Sequence, residues 1–296
     1  MLIPLFPDFA PILLDLKEAL HPALRAAKDG VSEFTFANLY LFRGRYNYRI
    51  SREQNGNILV SGDLHGKRFF ATPCAMPDIP VLERLLAEHD YWKGIPDSIL
   101  ENNRPVIEDM GVEITEDRNN FDYLYNKSDL ALLSGKKFHK KRNLVNAFLL
   151  SYPDHHDCTL TSEYTPQALA ILERWKQDKG SEGDYIAAHE ALLLSAELGL
   201  EGRIYFVNKH PAGYCLGEYV AGASMFAVHF EKCIDDYKGI YQAVNQFFAA
   251  SLPSGCLYVN REQDLGDDGL RQAKMTYRPC GFVKKYIGVP HKTQPR

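Results

Sequence analysis

Residues 260–264 read NREQD and follow the apolar run CLYV at 256–259 without a spacer. An amide, a guanidinium and two carboxylates therefore arrive together at the end of a strand-like segment. Residues 265–277 continue with Leu270, Ala273, Lys274 and Tyr277 at helical spacing. A strand that delivers polar groups at its C-terminal end and then turns into a helix is a common way for α/β folds to build a site. The chemistry such groups offer is proton removal by Asp264 and stabilisation of an oxyanion or phosphate by Arg261, Arg271 or Lys274, with Asn260 beside them. The competing reading is a solvated salt-bridge cluster of Arg261, Glu262, Asp264, Arg271 and Lys274 at an ordinary turn.

Two further segments carry concentrated charge. GKKFHKKRN at 135–143 places Lys136, Lys137, Lys140, Lys141 and Arg142 within seven residues, flanked by apolar residues on both sides. That pattern predicts a helix starting in a basic turn, with Phe138 inward and the lysines free to raise local anion concentration. A solvated basic face is the plain alternative. At 230–241, Glu231 and Lys232 end a strand-like stretch before the helix-like run from Tyr241. Strand, loop and helix N-terminus in that order can hold a pyrophosphate. Asp235 and Asp236 oppose an anion there unless Lys232 and Lys238 compensate. Pairing of Glu231 with Lys232 or with Arg261 is the structural alternative.

Other signals narrow the function by exclusion. No GxSxG elbow, Walker A loop, HExxH helix or GxGxxG fingerprint occurs. His155, His156, Asp157 and Cys158 resemble a metal set in letters, but adjacent positions converge poorly on one ion, so a solvated loop is expected and no metal. Cys74, Cys158, Cys215, Cys233, Cys256 and Cys280 are scattered without a CxxC pair, which predicts reduced thiols. Trp92 and Trp175 are expected in the core. A net charge of −4 over 296 residues leaves anion binding to local patches. No apolar run reaches the length that spans a bilayer, and a cytoplasmic chain is expected.

The elements that must position these groups form two cycles. Residues 12–27 are helical in pattern, with Pro22 interrupting; 34–50, rich in aromatics, read as strand. Residues 58–60 and 69–71 read as hairpin strands, with Asn55-Gly56 and His65-Gly66 as turns, and 78–89 as an amphipathic helix. Thr165-Pro166 opens a second cycle: a helix capped by Thr165, a helix at 189–198, strands at 203–207, 214–220 and 224–230, a helix at 241–250 and a last strand at 282–287. The expected fold class is α/β, with α+β layering, in two domains at 1–162 and 163–296.

With GKKFHKKRN, Glu231-Lys232, NREQDLG and LRQAKMTYRP in view, the chain resembles the family named for the C-terminal domain of phosphatidylglycerol lysyltransferase, long catalogued as a domain of unknown function. The likeness runs from Phe34 through DYLYNKSDLALLSGKKFHKKRN at 122–143 to Pro279. It implies two tandem GNAT-like domains, each a mixed, largely antiparallel sheet flanked by helices, similar also to the Fem peptidyl transferases. It further implies transfer of an aminoacyl group from aminoacyl-tRNA to an amine or hydroxyl acceptor, lipid or peptide-like, with no cofactor required. The residues themselves suggest Glu231, Arg261 and Asp264 as catalytic groups. They suggest Lys136, Lys137, Lys140, Lys141, Arg142, Lys232, Asn260, Arg271 and Lys274 as substrate-binding groups. Two other readings fit the same residues: an N-acyltransferase using acyl-CoA on a small amine, and a non-catalytic module that binds anions or nucleic acid.

Overall fold

The computed structural model describes residues 3–180 and 182–291. Their contacts divide into two units. The first comprises residues up to 122, 263–266 and those from 282 onward; the second comprises 123–262 and 267–281. The boundary expected at 162/163 therefore falls inside the second unit. Residues 123–162 pack with the later strands, and the last strand of the chain belongs to the first sheet.

That first sheet contains β1 (Ala10–Pro11), β2 (Arg49–Arg52), β3 (Ile58–Leu64), β4 (Lys67–Ala71), β5 (Tyr91–Pro96), β6 (Val112–Glu116) and β14 (Lys285–Pro290). Its order is β1-β2-β3-β4-β5-β14-β6. The expected hairpin forms where His65 and Gly66, both at positive φ, join β3 to β4 in a two-residue turn. Strand β14 is antiparallel to both its neighbours, β5 and β6. The core beneath is built from Phe70, Trp92 and Ile95 of the sheet against Leu82, Leu85 and Leu86 of the helix Ile79–Glu88. Full burial of each such side chain contributes roughly 1.5–3 kcal/mol.

Two local expectations fail here. Residues 34–50 are not a strand: helices Phe36–Leu41 and Arg43–Tyr46 occupy most of the segment. The Thr35 hydroxyl accepts the Asn38 N–H at 3.0 Å and caps the first helix, all of whose residues are buried. Burial on every side erases the period that separates a helix from an aromatic-rich strand. Pro22, in turn, does not break the helix Lys17–Ala26, because buried Leu20 and Leu24 anchor the turns around it.

The second sheet has the order β13-β7-β12-β11-β10-β9-β8. Its strands are β7 (Asp122–Asn126), β8 (His156–Thr159), β9 (Glu201–Val207), β10 (His210–Val220), β11 (Met225–Cys233), β12 (Tyr258–Asn260) and β13 (Gly281–Val283). Strands β8 to β11 are antiparallel in sequence order, whereas β11 and β12 are parallel. The helix Thr165–Lys179 buries Ala168, Ile171 and Leu172, and the helix Ile240–Ser251 buries Ala243, Val244 and Phe248. Thr165 is the first residue of its helix rather than the cap. The 155–158 segment is no free loop: it leads into edge strand β8, where His156 stacks on Phe206 at 4.8 Å and Asp157 pairs with Arg203. The fold class anticipated from the sequence holds: mixed, largely antiparallel sheets flanked by helices.

Candidate functional site

The parallel ladder between β11 and β12 is short. Met225, Phe226 and Ala227 pair with Tyr258, Val259 and Asn260, and there it stops. Strand β11 runs on to Cys233 while the chain after Asn260 turns away. The turn is built locally: the Asn260 side-chain oxygen accepts the Glu262 N–H at 2.8 Å, and Glu262 takes a left-handed φ of 54°. Lys274 closes it, donating to the carbonyls of Arg261 at 2.6 Å and Glu262 at 3.1 Å. Asn260 and Lys274, both expected to bind substrate, thus spend these polar atoms on backbone.

Arg261 extends from this turn to Glu231 on β11, with Nη2 to Oε1 at 2.7 Å. The two side chains are only 16% and 12% exposed. With its amide turned so that the oxygen faces Arg261, Asn245 accepts from Nη1 at 2.8 Å and Nε at 3.3 Å. Burial works against the Arg261 charge, but Glu231, joined by Tyr277, Tyr125 and Cys215, outweighs it and holds the pKa above the ordinary arginine value. The Arg261 guanidinium carbon lies 5.3 Å from the Tyr277 ring centroid, and the Lys141 ammonium lies 4.1 Å from the same centroid. Burial, then the Arg261 charge, pushes the Lys141 pKa down. Burial lifts the Tyr277 phenol to about 12, despite hydrogen bonds with Gln242 and Arg261. Glu231, Arg261, Tyr277 and Lys141 therefore form one cluster within the second unit, where β11 and β12 separate. The basic segment and the NREQD block meet in it through Lys141 and Arg261.

The other predicted residues fall elsewhere. Neighbours on a strand face opposite sides, and Lys232 turns away from Glu231 to Asp184, 2.7 Å and 2.8 Å from its two oxygens, over the Trp175 ring at 3.7 Å. Asp235 and Asp236 are matched by Lys179 at 3.7 Å and Arg174 at 3.4 Å. Arg142 donates to the carbonyls of Leu133 and Gly135 and so fastens the turn before its own helix, His139–Ser151. Lys137 pairs with Asp129 at 2.9 Å; Lys136 and Lys140 are exposed. Phe138 is fully buried, as its position in the basic turn predicted. Arg271 is half-buried on the helix Asp268–Met275. Asp264 belongs to the first unit, fully buried, accepting the Gly266 N–H at 2.9 Å and pairing with Arg118 at 3.4 Å. It anchors a turn there.

The sequence reading missed His229. It is the extra residue of a bulge, since Leu216 pairs with Phe230 but Gly217 with Val228. Its Nδ1 lies 2.7 Å from Glu262 and its Nε2 3.2 Å from Glu218. Burial disfavours the imidazolium, yet the two carboxylates lift its pKa to about 10, so it is charged at neutral pH. This triad braces Glu262 directly behind Arg261. No linear signal marked it, because its partners come from 11 and 33 residues away.

The sequence profile of the family described as "Phosphatidylglycerol lysyltransferase, C-terminal" matches residues 24–288, and the chain belongs to that family. Among solved structures it is similar to a conserved protein of unknown function from Bacteroides thetaiotaomicron VPI-5482. The two are 27% identical over 98% of this chain and 100% of that one, with a TM-score of 0.87. It shares its fold with L-PGS from Bacillus licheniformis, at 13% identity and a TM-score of 0.65, over 99% of this chain and 95% of that one. An uncharacterised protein of Mycoplasmoides gallisepticum, MYCGA3080, is 24% identical over 173 residues. That match covers 56% of this chain and 55% of the relative, so the chain spans about half the length of the curated relative it matches. Among the described residues, no helix is long and apolar enough to cross a membrane.

Proposed function

We propose that the chain is an acyltransferase whose second unit moves an aminoacyl group from aminoacyl-tRNA to an amine or hydroxyl, with a lipid headgroup as the first acceptor to test. The observation that carries this reading is the Arg261 guanidinium held by Glu231 and Asn245 beside Lys141 and Tyr277. Family membership supports acyl transfer and a lipid acceptor.

The reaction needs alignment, proton transfer and a home for the oxyanion. The acceptor's nitrogen or oxygen attacks the ester carbonyl and forms a bond to carbon. The carbonyl oxygen gains charge beside Arg261 and Lys141, and collapse breaks the bond to the tRNA ribose oxygen. The acceptor's proton ends on that ribose hydroxyl. Tyr277, its phenol protonated at neutral pH, relays that proton: it gives its own to the leaving oxygen and takes the acceptor's in its place. Glu231 acts as a positioning residue, because its carboxylate is committed to Arg261. Exposed Lys136 and Lys140 would meet donor phosphates.

The test incubates the protein with radiolabelled aminoacyl-tRNAs and phosphatidylglycerol vesicles, with parallel arms containing an amine acceptor or acetyl-CoA. Label should pass from tRNA to lipid, and Arg261→Lys should lower kcat by about 100-fold, the scale of losing an oxyanion donor. Transfer from acetyl-CoA alone would replace the donor. Binding without transfer in every arm would leave a non-catalytic module.

A further inference from the structure

Backbone pairing between β11 and β12 ends at Ala227 and Asn260, and side chains take over from there. Two ion pairs cross the gap. Glu231 of β11 accepts from Arg261 at 2.7 Å, and His229, two residues earlier on the same strand, lies 2.7 Å from Glu262. Consecutive residues of the turn are thus held by β11 with opposite polarity, anion to cation and then cation to anion. On the far side of its ring, His229 meets Glu218 of β10 at 3.2 Å. With a carboxylate at each ring nitrogen, both nitrogens act as N–H donors, and an imidazole with two donors is charged.

The turn needs that hold. Glu262 sits at a φ of 54°, a region that costs free energy for a residue other than glycine. Its backbone is fixed locally: Asn260 accepts its N–H, Lys274 donates to its carbonyl, and the Tyr123 N–H donates to the same carbonyl at 3.2 Å. None of these contacts reaches β11. The His229 contact does, and as the extra residue of a bulge His229 aims its ring across the gap. An uncharged residue there would leave the Glu218 and Glu262 carboxylates, 3% and 20% exposed, without the cation between them. Glu262 would then compete with Glu231 for Arg261, its neighbour in the chain.

We propose that His229 is a positioning residue of the acyl-transfer site: through Glu262 it fixes the turn from which Arg261 reaches into the gap, and so sets where the guanidinium meets the developing oxyanion. Glu231 orients Arg261 from the tip of its side chain, and His229 orients it from the backbone. His229 touches no substrate in this role. Its effect on rate rests on the acyl-transfer reading, whereas its effect on the placement of Arg261 does not.

Two measurements on the full chain test it with His229→Gln, which keeps a hydrogen-bonding side chain and removes the charge. In the aminoacyl-tRNA assay kcat should fall about 10-fold or more, while the KM for the donor changes by less than about 3-fold. In an Arg261→Lys background the same substitution should lower kcat by less than about 2-fold, because a residue that acts through Arg261 has little further to lose. Equal fold losses in the two backgrounds, the result of a merely structural role, overturn the proposal. NMR of arginine side-chain Nε–H groups supplies the second measurement. The Arg261 resonance, assigned by its absence from Arg261→Lys, should shift or broaden in His229→Gln; an unmoved resonance in the folded variant overturns the proposal. If wild type transfers no label, the acyl-transfer reading fails and the resonance alone decides the placement of Arg261. Should His229→Gln fail to fold, Glu262→Gln takes its place, since it keeps the shape of a partly exposed side chain and removes the same ion pair; equal losses in both backgrounds or an unmoved resonance overturn the proposal there too.

Discussion

Removing the Glu231 carboxylate is the sharpest probe of the cluster. The 2.7 Å contact to Arg261 joins side chains only 12% and 16% exposed. Glu231→Leu therefore leaves a guanidinium largely out of water, with Asn245 and the Tyr277 hydroxyl as remaining polar anchors. Breaking a buried pair from one side costs roughly 3–5 kcal/mol, and residual exposure with the Asn245 contact places this one near about 3 kcal/mol. For a unit of roughly 150 residues, each kcal/mol lowers Tm by about 2–4 °C, so a fall of about 6–12 °C is expected. Arg261→Met should cost a similar amount, because it strands Glu231 instead. The double variant removes both charges and should recover most of the loss, giving a coupling energy of about 2 kcal/mol or more. Urea unfolding of the four proteins at pH 7, followed by circular dichroism, measures this. Additive single losses, with coupling below about 0.5 kcal/mol, would refute the claim that Glu231 holds Arg261.

The His229 triad makes stability depend on pH. Its folded pKa of about 10 lies above the ordinary 6.5, so its contribution is complete below about 6.5 and is lost as pH rises toward 10. Denaturant midpoints should fall across that window in wild type and flatten in His229→Gln. Gly217→Ala should destabilise the second unit by about 3 kcal/mol or more in thermal melts, since a Cβ there would sit 1.9 Å from the Ala227 carbonyl oxygen. Lys136→Ala with Lys140→Ala should weaken tRNA binding and reduce the slope of log affinity against log salt by about 1.5–2 in filter-binding assays; an unchanged slope would remove both residues from the donor path.

Much of this protein was readable one segment at a time. The helices at 79–88, 165–179 and 240–251, the His65-Gly66 hairpin and the inward Phe138 follow from local period, turn chemistry and apolar spacing. The NREQD block and the basic turn stood out because charge next to an apolar strand is visible in a line of letters. Where local burial was complete on all sides, as at 36–41, the period vanished and the strand reading failed.

Tertiary structure decided the rest, because pairing and desolvation are properties of neighbours distant in sequence. It sent strand 285–290 into the first sheet and gave Lys232 to Asp184 rather than to a ligand. It assigned Asp264 to the first unit and joined Lys141, Tyr277, Arg261 and Glu231 into one cluster. The sequence by itself determined which charges exist and on which elements they ride. Which of them lose water and meet a partner was set by pairings across the fold, and for Arg261 and Glu231 by strands β11 and β12, which pair for three residues and then separate.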